Sequence, residues 1–252
     1  MFDEFSIGPI TIHMYGVMFA LGFISALKIC EIRAKKKNLS DDIVWGLFIG
    51  AIVGGLLGAR LLYYIVEFKA IKKDISILWN FTNGYVVYGG IIGGVLVDYL
   101  YCRYKKVNFM KYFDLVMPSV AFAQGLGRIG CFLAGCCYGR ETTSFIGITY
   151  TTSKIAPNGV KLIPTQLISS AGDFLFAFLL ILYDNKCKEK KDGSVAYAYF
   201  ALYSIGRFVI EFFRNDYRGS IGFLSTSQII SMGIFIIGAG LFVKSRFVKK
   251  EA

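Results

Sequence analysis

The sequence predicts an all-α polytopic membrane protein of about seven transmembrane helices. Its N-terminus is expected outside, its C-terminus inside, and a small extracytoplasmic loop element between spans 4 and 5. Three observations predict this. Of 252 residues, 55% are hydrophobic and only 18% are charged, where a soluble domain carries about 25% charged residues. The apolar residues lie in long blocks, not amphipathic stripes, and many blocks approach the roughly 20 residues that cross hydrocarbon. Lys and Arg alternate between rich and poor connections. Because apolar blocks fill most of the chain, residues 1–252 are expected to form a single transmembrane domain.

The blocks fall near 14–32, 43–66, 85–102, 112–134, 164–183, 194–213 and 225–243. No Lys or Arg precedes Lys28, so the first block lacks the basic leader of a cleavable signal and is expected to remain as a span. The connections 33–42, 103–111 and 184–193 and the C-terminal tail each carry four Lys or Arg. The alternate connections carry three (67–84), three (139–163) and two (214–224), and the N-terminal segment none. Positive charge collects on the cytoplasmic side, which sets the orientation. The net charge of +11 has the same origin. These basic residues are scattered through short loops and form no groove or nucleic-acid module, so no nucleic-acid partner is expected. In the long 139–163 connection, residues 146–150 read as a short strand and 157–159 as a turn. A lid and a plain surface loop both remain open for it.

Four basic residues lie inside the blocks. Lys28 is near the cytoplasmic end of span 1 and can snorkel. Arg60, Arg128 and Arg207 lie in the later halves of spans 2, 4 and 6, which run outward, so all three fall in the outer half of the bilayer. Glu211 follows Arg207 by one turn on the same helix face. Each buried charge costs about 2.5–3.5 kcal/mol on insertion scales, so compensation is required. Two accounts are open: internal pairing with snorkelling, or an anion site for which the guanidinium fork suits phosphate. At that depth the anion is a phospholipid headgroup. Asp98, Asp114 and Asp173 have no role at this level.

Glycine runs at Gly54-Gly55-x-x-Gly58, Gly89-Gly90-x-x-Gly93-Gly94 and Gly125-x-Gly127-x-x-Gly130 permit close helix approach. The last also matches a dinucleotide fingerprint, but no strand precedes it and no βαβ unit fits inside a span. Cys131, Cys136 and Cys137 cluster after it. Packing thiols, a Cys131–Cys136 or Cys131–Cys137 bridge, and a covalent intermediate on the protein all remain open. No metal is expected, because no histidine or second cysteine pair completes a ligand set. Cys30, Cys102 and Cys187 are expected as free thiols.

The densest segment is Gly125-Leu-Gly-Arg-Ile-Gly-Cys-Phe-Leu-Ala-Gly-Cys-Cys-Tyr-Gly-Arg140. With it stand Met14-Tyr-Gly16, Gly58-Ala-Arg60, Tyr88-Gly-Gly90, Pro164-Thr-Gln166 and Gly206-Arg-Phe-Val-Ile-Glu-Phe-Phe-Arg-Asn-Asp216. Together, over roughly residues 7–217, they resemble the bacterial prolipoprotein diacylglyceryl transferases. The resemblance implies transfer of a diacylglyceryl group from phosphatidylglycerol to the lipobox cysteine of an exported prolipoprotein, at the extracytoplasmic face of the cell membrane and without a cofactor. It implies that Arg128 and Arg207 hold the phosphate and that Glu211 orients Arg207. Tyr88 takes the place of a candidate base. Tyr15, Arg60, Gly89, Gly139 and Arg214 are implied as substrate-binding positions. The chain departs from the family's pattern in having Tyr88 where His is usual, Cys131 and Ala134 where Asn is usual, and Cys136 where Glu is usual. Alternatives therefore stay open: a phospholipid-dependent transferase with a different acceptor, or a non-catalytic lipid-binding or transport protein.

Overall fold

The computed structural model describes all residues except 1–3, 8–9, 81–83, 188–189, 216–219, 222 and 248–252. Among them are eight α-helices: α1 (Met14–Lys36), α2 (Asp41–Val66), α3 (Phe68–Ile71), α4 (Val87–Tyr104), α5 (Phe109–Leu133), α6 (Thr165–Lys186), α7 (Ser194–Glu211) and α8 (Thr226–Phe247). Seven of these coincide with the seven apolar blocks. The chain is an all-α membrane protein, and five helices (α1, α2, α5, α6 and α8) are long and apolar enough to cross a bilayer. The other two, α4 and α7, have 18 residues each, about 27 Å of rise, and glycine, tyrosine and serine dilute their apolar character.

A 3-10 helix (Ile75–Trp79) and three short antiparallel hairpins complete the description, the hairpins being β1 (Glu4–Ile7) with β2 (Ile10–His13), β3 (Ile148–Thr149) with β4 (Lys161–Leu162), and β5 (Ser220–Ile221) with β6 (Leu224–Ser225). The strand and turn expected within 139–163 are present. Tyr150, Ala156 and Leu162 form a small core there with Phe132, Tyr138 and Val160. The flanking hairpins were not expected, since strands of two to four residues are too short for a period-two pattern to register.

The chain divides into two compact units, one of Met1–Cys30 with Phe113–Ala252 and one of Glu31–Tyr112. In the smaller unit, α2 packs on α4 through glycine. A Cβ on Gly58 would lie 2.3 Å from the Gly89 carbonyl oxygen, and one on Gly89 the same distance from the Gly58 oxygen. One on Gly93 would lie 2.3 Å from the Gly54 oxygen. The backbones touch, as small residues allow in membranes. The outward face carries the large residues: Gly54, Ala59 and Arg60 are buried while Leu56, Leu57, Leu61 and Ile65 are exposed. That is the reverse of a soluble helix.

In the larger unit, Met117 and Ala121 of α5, Ala177 and Leu180 of α6, and Val195, Ala196 and Tyr199 of α7 form the core. Asp114 acquires a role here. Its carboxylate accepts the backbone N–H groups of Gly193 (2.8 Å) and Ala196 (2.9 Å), so α5 caps the N-terminus of α7 with a buried acid, where the helix dipole favours negative charge.

Two outcomes are expected from thermal unfolding in detergent. Gly93→Ala destabilises the protein by about 1–3 kcal/mol or more through overpacking, whereas Gly55→Ala, whose nearest neighbour would sit at 3.7 Å, leaves the melting temperature unchanged. Asp114→Ala, which strands two buried N–H donors, costs about 1–3 kcal/mol.

Candidate active site

The charged centre of the larger unit is built at the end of α7. Arg207 and Glu211 are four residues apart on one helix face and form an ion pair at 2.8 Å, with side chains 11% and 7% exposed. Arg207 Nη2 also donates to Ser227 Oγ in the first turn of α8 at 3.0 Å. Arg214 approaches the same carboxylate, with Nε 4.0 Å from Oε2, and is itself buried. One carboxylate thus faces two guanidinium groups.

Arg128 comes from the last turns of α5. It lies within electrostatic reach of Tyr15, Cys131, Asp173 and Arg207. Arg128 and Arg207 thus lie within electrostatic reach of each other. The guanidinium of Arg128 is half-buried and makes no hydrogen bond or ion pair with the described residues. Its fork of donors is available, whereas that of Arg207 is held. Three guanidinium groups stand against Glu211 and Asp173, leaving the region electropositive. The ring of Tyr15, in the first turn of α1, lies against Gly130, where a Cβ would meet the Tyr15 ring at 3.3 Å.

Gly139 is a structural necessity. Its N–H donates to the Ile163 carbonyl at 3.0 Å, and it forms an antiparallel bridge with Arg214. Arg140 N–H donates to the Phe213 carbonyl at 2.9 Å, Ile163 N–H to the Arg140 carbonyl at 3.0 Å, and Asn215 N–H to the Tyr138 carbonyl at 3.3 Å. A Cβ on Gly139 would lie 2.7 Å from both the Ile163 and Phe213 oxygens. The loop after α5 is threaded between the start of α6 and the end of α7, and no side chain fits there.

Thr165 and Gln166 are the residues that sequence reasoning noted without a role. Thr165 Oγ1 donates to the Cys137 carbonyl at 2.7 Å, and Gln166 Nε2 to the Cys136 carbonyl at 2.7 Å and to the Tyr150 hydroxyl at 3.2 Å. Both are almost wholly buried. Two polar residues opening a helix directly after proline were the available signal. They reach back to the preceding loop instead of capping their own helix.

None of the six cysteines is joined in a disulfide. The sulfur atoms of Cys131, Cys136 and Cys137 lie within 4.8 Å of one another. Hydrogen bonds from Cys131 and Cys136, with the Arg214 guanidinium adding to them, pull the Cys137 thiol below its ordinary value. Hydrogen bonds with Cys131 and Cys137 push the Cys136 thiol up.

The candidates in the smaller unit have their own surroundings. Arg60, expected as a substrate contact, is buried and turned onto its own fold. Nε donates to the Tyr64 hydroxyl (2.8 Å), Nη1 to the Gly84 carbonyl (3.2 Å), and Nη2 to the carbonyls of Ile77 (3.1 Å), Leu78 (3.2 Å) and Asn80 (2.7 Å). The rings of Tyr63, Tyr64 and Tyr85 flank it. Arg60 pins the connection between α3 and α4 and leaves little of its fork for a ligand. Gly89 is occupied by its contact with Gly58. Tyr88, in the first turn of α4, is exposed.

Helical membrane architecture around a buried arginine–glutamate pair and a half-buried arginine with unspent donors defines a membrane protein with an electropositive site among its helices. A sequence model of the prolipoprotein diacylglyceryl transferase family matches residues 4–244. The chain is 46% identical over 246 residues to the phosphatidylglycerol–prolipoprotein diacylglyceryl transferase of Clostridium tetani, covering 98% of each chain. It is 47% identical over 232 residues to phosphatidylglycerol–prolipoprotein diacylglyceryl transferase 2 of Clostridium perfringens, covering 92% of this chain and 90% of that one. It is 34% identical over 237 residues to the phosphatidylglycerol–prolipoprotein diacylglyceryl transferase of Streptococcus uberis, covering 92% of this chain and 90% of that one. The chain belongs to the prolipoprotein diacylglyceryl transferase family.

Gly139→Ala is expected to abolish activity while leaving the helical circular dichroism intact, with new proteolytic cleavage appearing between residues 134 and 163.

Proposed function

We propose that this protein transfers the diacylglyceryl group of phosphatidylglycerol to the cysteine thiol of a prolipoprotein lipobox, with Arg128 and Arg207 holding the phosphate. One observation carries the assignment of roles. Arg207 is locked by Glu211 and Ser227, while Arg128, in the same neighbourhood, keeps its donors unspent. The high identity to the named clostridial enzymes over nearly the full chain supports the reaction itself.

The chemistry asks for this arrangement. The acceptor sulfur forms a bond to the glyceryl carbon that carries the phosphate ester, and the carbon–oxygen bond to phosphate breaks. Glycerol phosphate leaves. A phosphodiester with one negative charge becomes a monoester on its way to two, so charge develops on the phosphate in the transition state. Fixed guanidinium groups stabilise that developing charge more than they stabilise the bound lipid, which is what lowers a barrier. The thiol proton ends on phosphate oxygen or solvent. A thiol with a pKa near about 8.5 needs only modest help, so a phenol at Tyr88 suffices as a hydrogen-bond donor in a position where an imidazole would serve as base. Tyr15 and Arg214 border the phosphate site in this reading. Arg60 and Gly89 act by positioning.

The same reading gives seven crossings, with the N-terminus outside and the C-terminus inside, the whole chain acting as one transmembrane domain of the bacterial cell membrane. The uneven Lys and Arg content of the connections supports it. The reaction site then opens to the extracytoplasmic side, where exported prolipoproteins present their lipobox segment.

Purified protein incubated with phosphatidylglycerol and a lipobox peptide is expected to give a peptide heavier by one diacylglyceryl group. Arg128→Ala and Arg207→Ala are each expected to lower turnover by about 10²–10³-fold, and Glu211→Gln to lower it less, since Arg207 stays but loses its fixed orientation. Phosphatidylglycerol binding without any peptide product would refute the transferase reading in favour of a lipid-binding or transport protein.

A further inference from the structure

We propose that Cys131, Cys136 and Cys137 form a site for one thiophilic divalent cation, Zn2+ being the physiological case, held by three thiolates with the fourth position open to water. The inference does not depend on the transferase reading. The three sulfur atoms lie within 4.8 Å of one another. Tetrahedral zinc with bonds of about 2.3 Å needs sulfur atoms about 3.8 Å apart, a closure that small side-chain rotations supply.

The backbone is shaped to bring adjacent cysteines to one point. Gly135 and Cys137 both adopt left-handed conformations, with φ of 71° and 61°, a conformation that cysteine rarely takes. The resulting turn folds the thiols of Cys136 and Cys137 back towards Cys131 on the last turn of α5. The turn is also fixed from outside. Cys136 N–H donates to the Cys131 carbonyl at 3.1 Å, and the carbonyls of Cys136 and Cys137 are held by Gln166 and Thr165. Ligands oriented by such partners bind metal without first paying for order.

Charge completes the case. Three thiolates and a divalent cation leave one net negative charge in a half-buried place. The buried Arg214 guanidinium lies beside Cys137, and Arg128 is within electrostatic reach of Cys131. A tri-thiolate centre is therefore neutralised where it sits. The sequence lacks a fourth histidine or cysteine ligand, which matches an open site and not a closed structural one.

The test uses the full chain in detergent, treated with a chelator and titrated with Cd2+ alone while thiolate-to-metal charge-transfer absorption is followed. One equivalent is expected to saturate the signal, and Zn2+ to displace it. Cys131→Ser, Cys136→Ser and Cys137→Ser are each expected to weaken binding at least about tenfold, with Cys187→Ser unchanged. On the unaltered sequence, Zn2+ is expected to protect all three loop cysteines together from maleimide while Cys187 still reacts. The proposal is overturned if no stoichiometric signal appears, if Cys131→Ser binds as tightly as the parent, or if maleimide labels the loop equally with and without Zn2+.

Discussion

The Arg207–Glu211 pair is the interaction on which the site depends. Two charges that deep lose their hydration, and their mutual attraction offsets that loss only with good geometry and further partners. The pair has both. Its separation is 2.8 Å, Ser227 takes one remaining donor, and Arg214 shares the carboxylate. Through Ser227 the pair sets the start of α8 against the end of α7. Through Arg214 it reaches the bridge with Gly139. The backbone hydrogen bonds of Arg140 to Phe213 and of Asn215 to Tyr138 then join the loop after α5 to the end of α7.

The arginines teach that a buried charge is a question with two answers. Arg60 and Arg128 give the same signal in sequence: a lone Arg in the later half of an apolar block, with small residues nearby. Arg60 is surrounded by the carbonyls of a turn whose last few residues have no helical partners, so it satisfies backbone acceptors that membranes leave otherwise costly. Arg128 stands on a continuous helix, where carbonyls are already bonded, and has nothing of that kind to satisfy. The difference lies in the neighbours' hydrogen-bonding state, which depends on tertiary structure and does not show in a linear pattern.

Much of the rest was legible for definite reasons. Helix positions followed from apolar length, because a bilayer imposes a minimum run. Glycines at spacing four marked α2 and α4 as open to close approach, because only absent side chains let backbones touch, though which helices meet came from the structure. The pairing of Arg207 with Glu211 followed from helical period. What escaped was long-range and polar. Asp114 caps a helix some eighty positions away. Thr165 and Gln166 anchor a loop that precedes them by about thirty. The convergence of three thiols needed two left-handed residues that no composition rule announces.

The threading of Tyr138–Arg140 between Ile163 and Phe213–Asn215 has a mechanical consequence. Peptide groups from three separate stretches of chain are laced into one miniature ribbon, so none can shift without its two neighbours. Lipid entry and product departure must therefore be accommodated by motion elsewhere, and amide protons along this ribbon should be among the slowest to exchange with deuterium outside the helices.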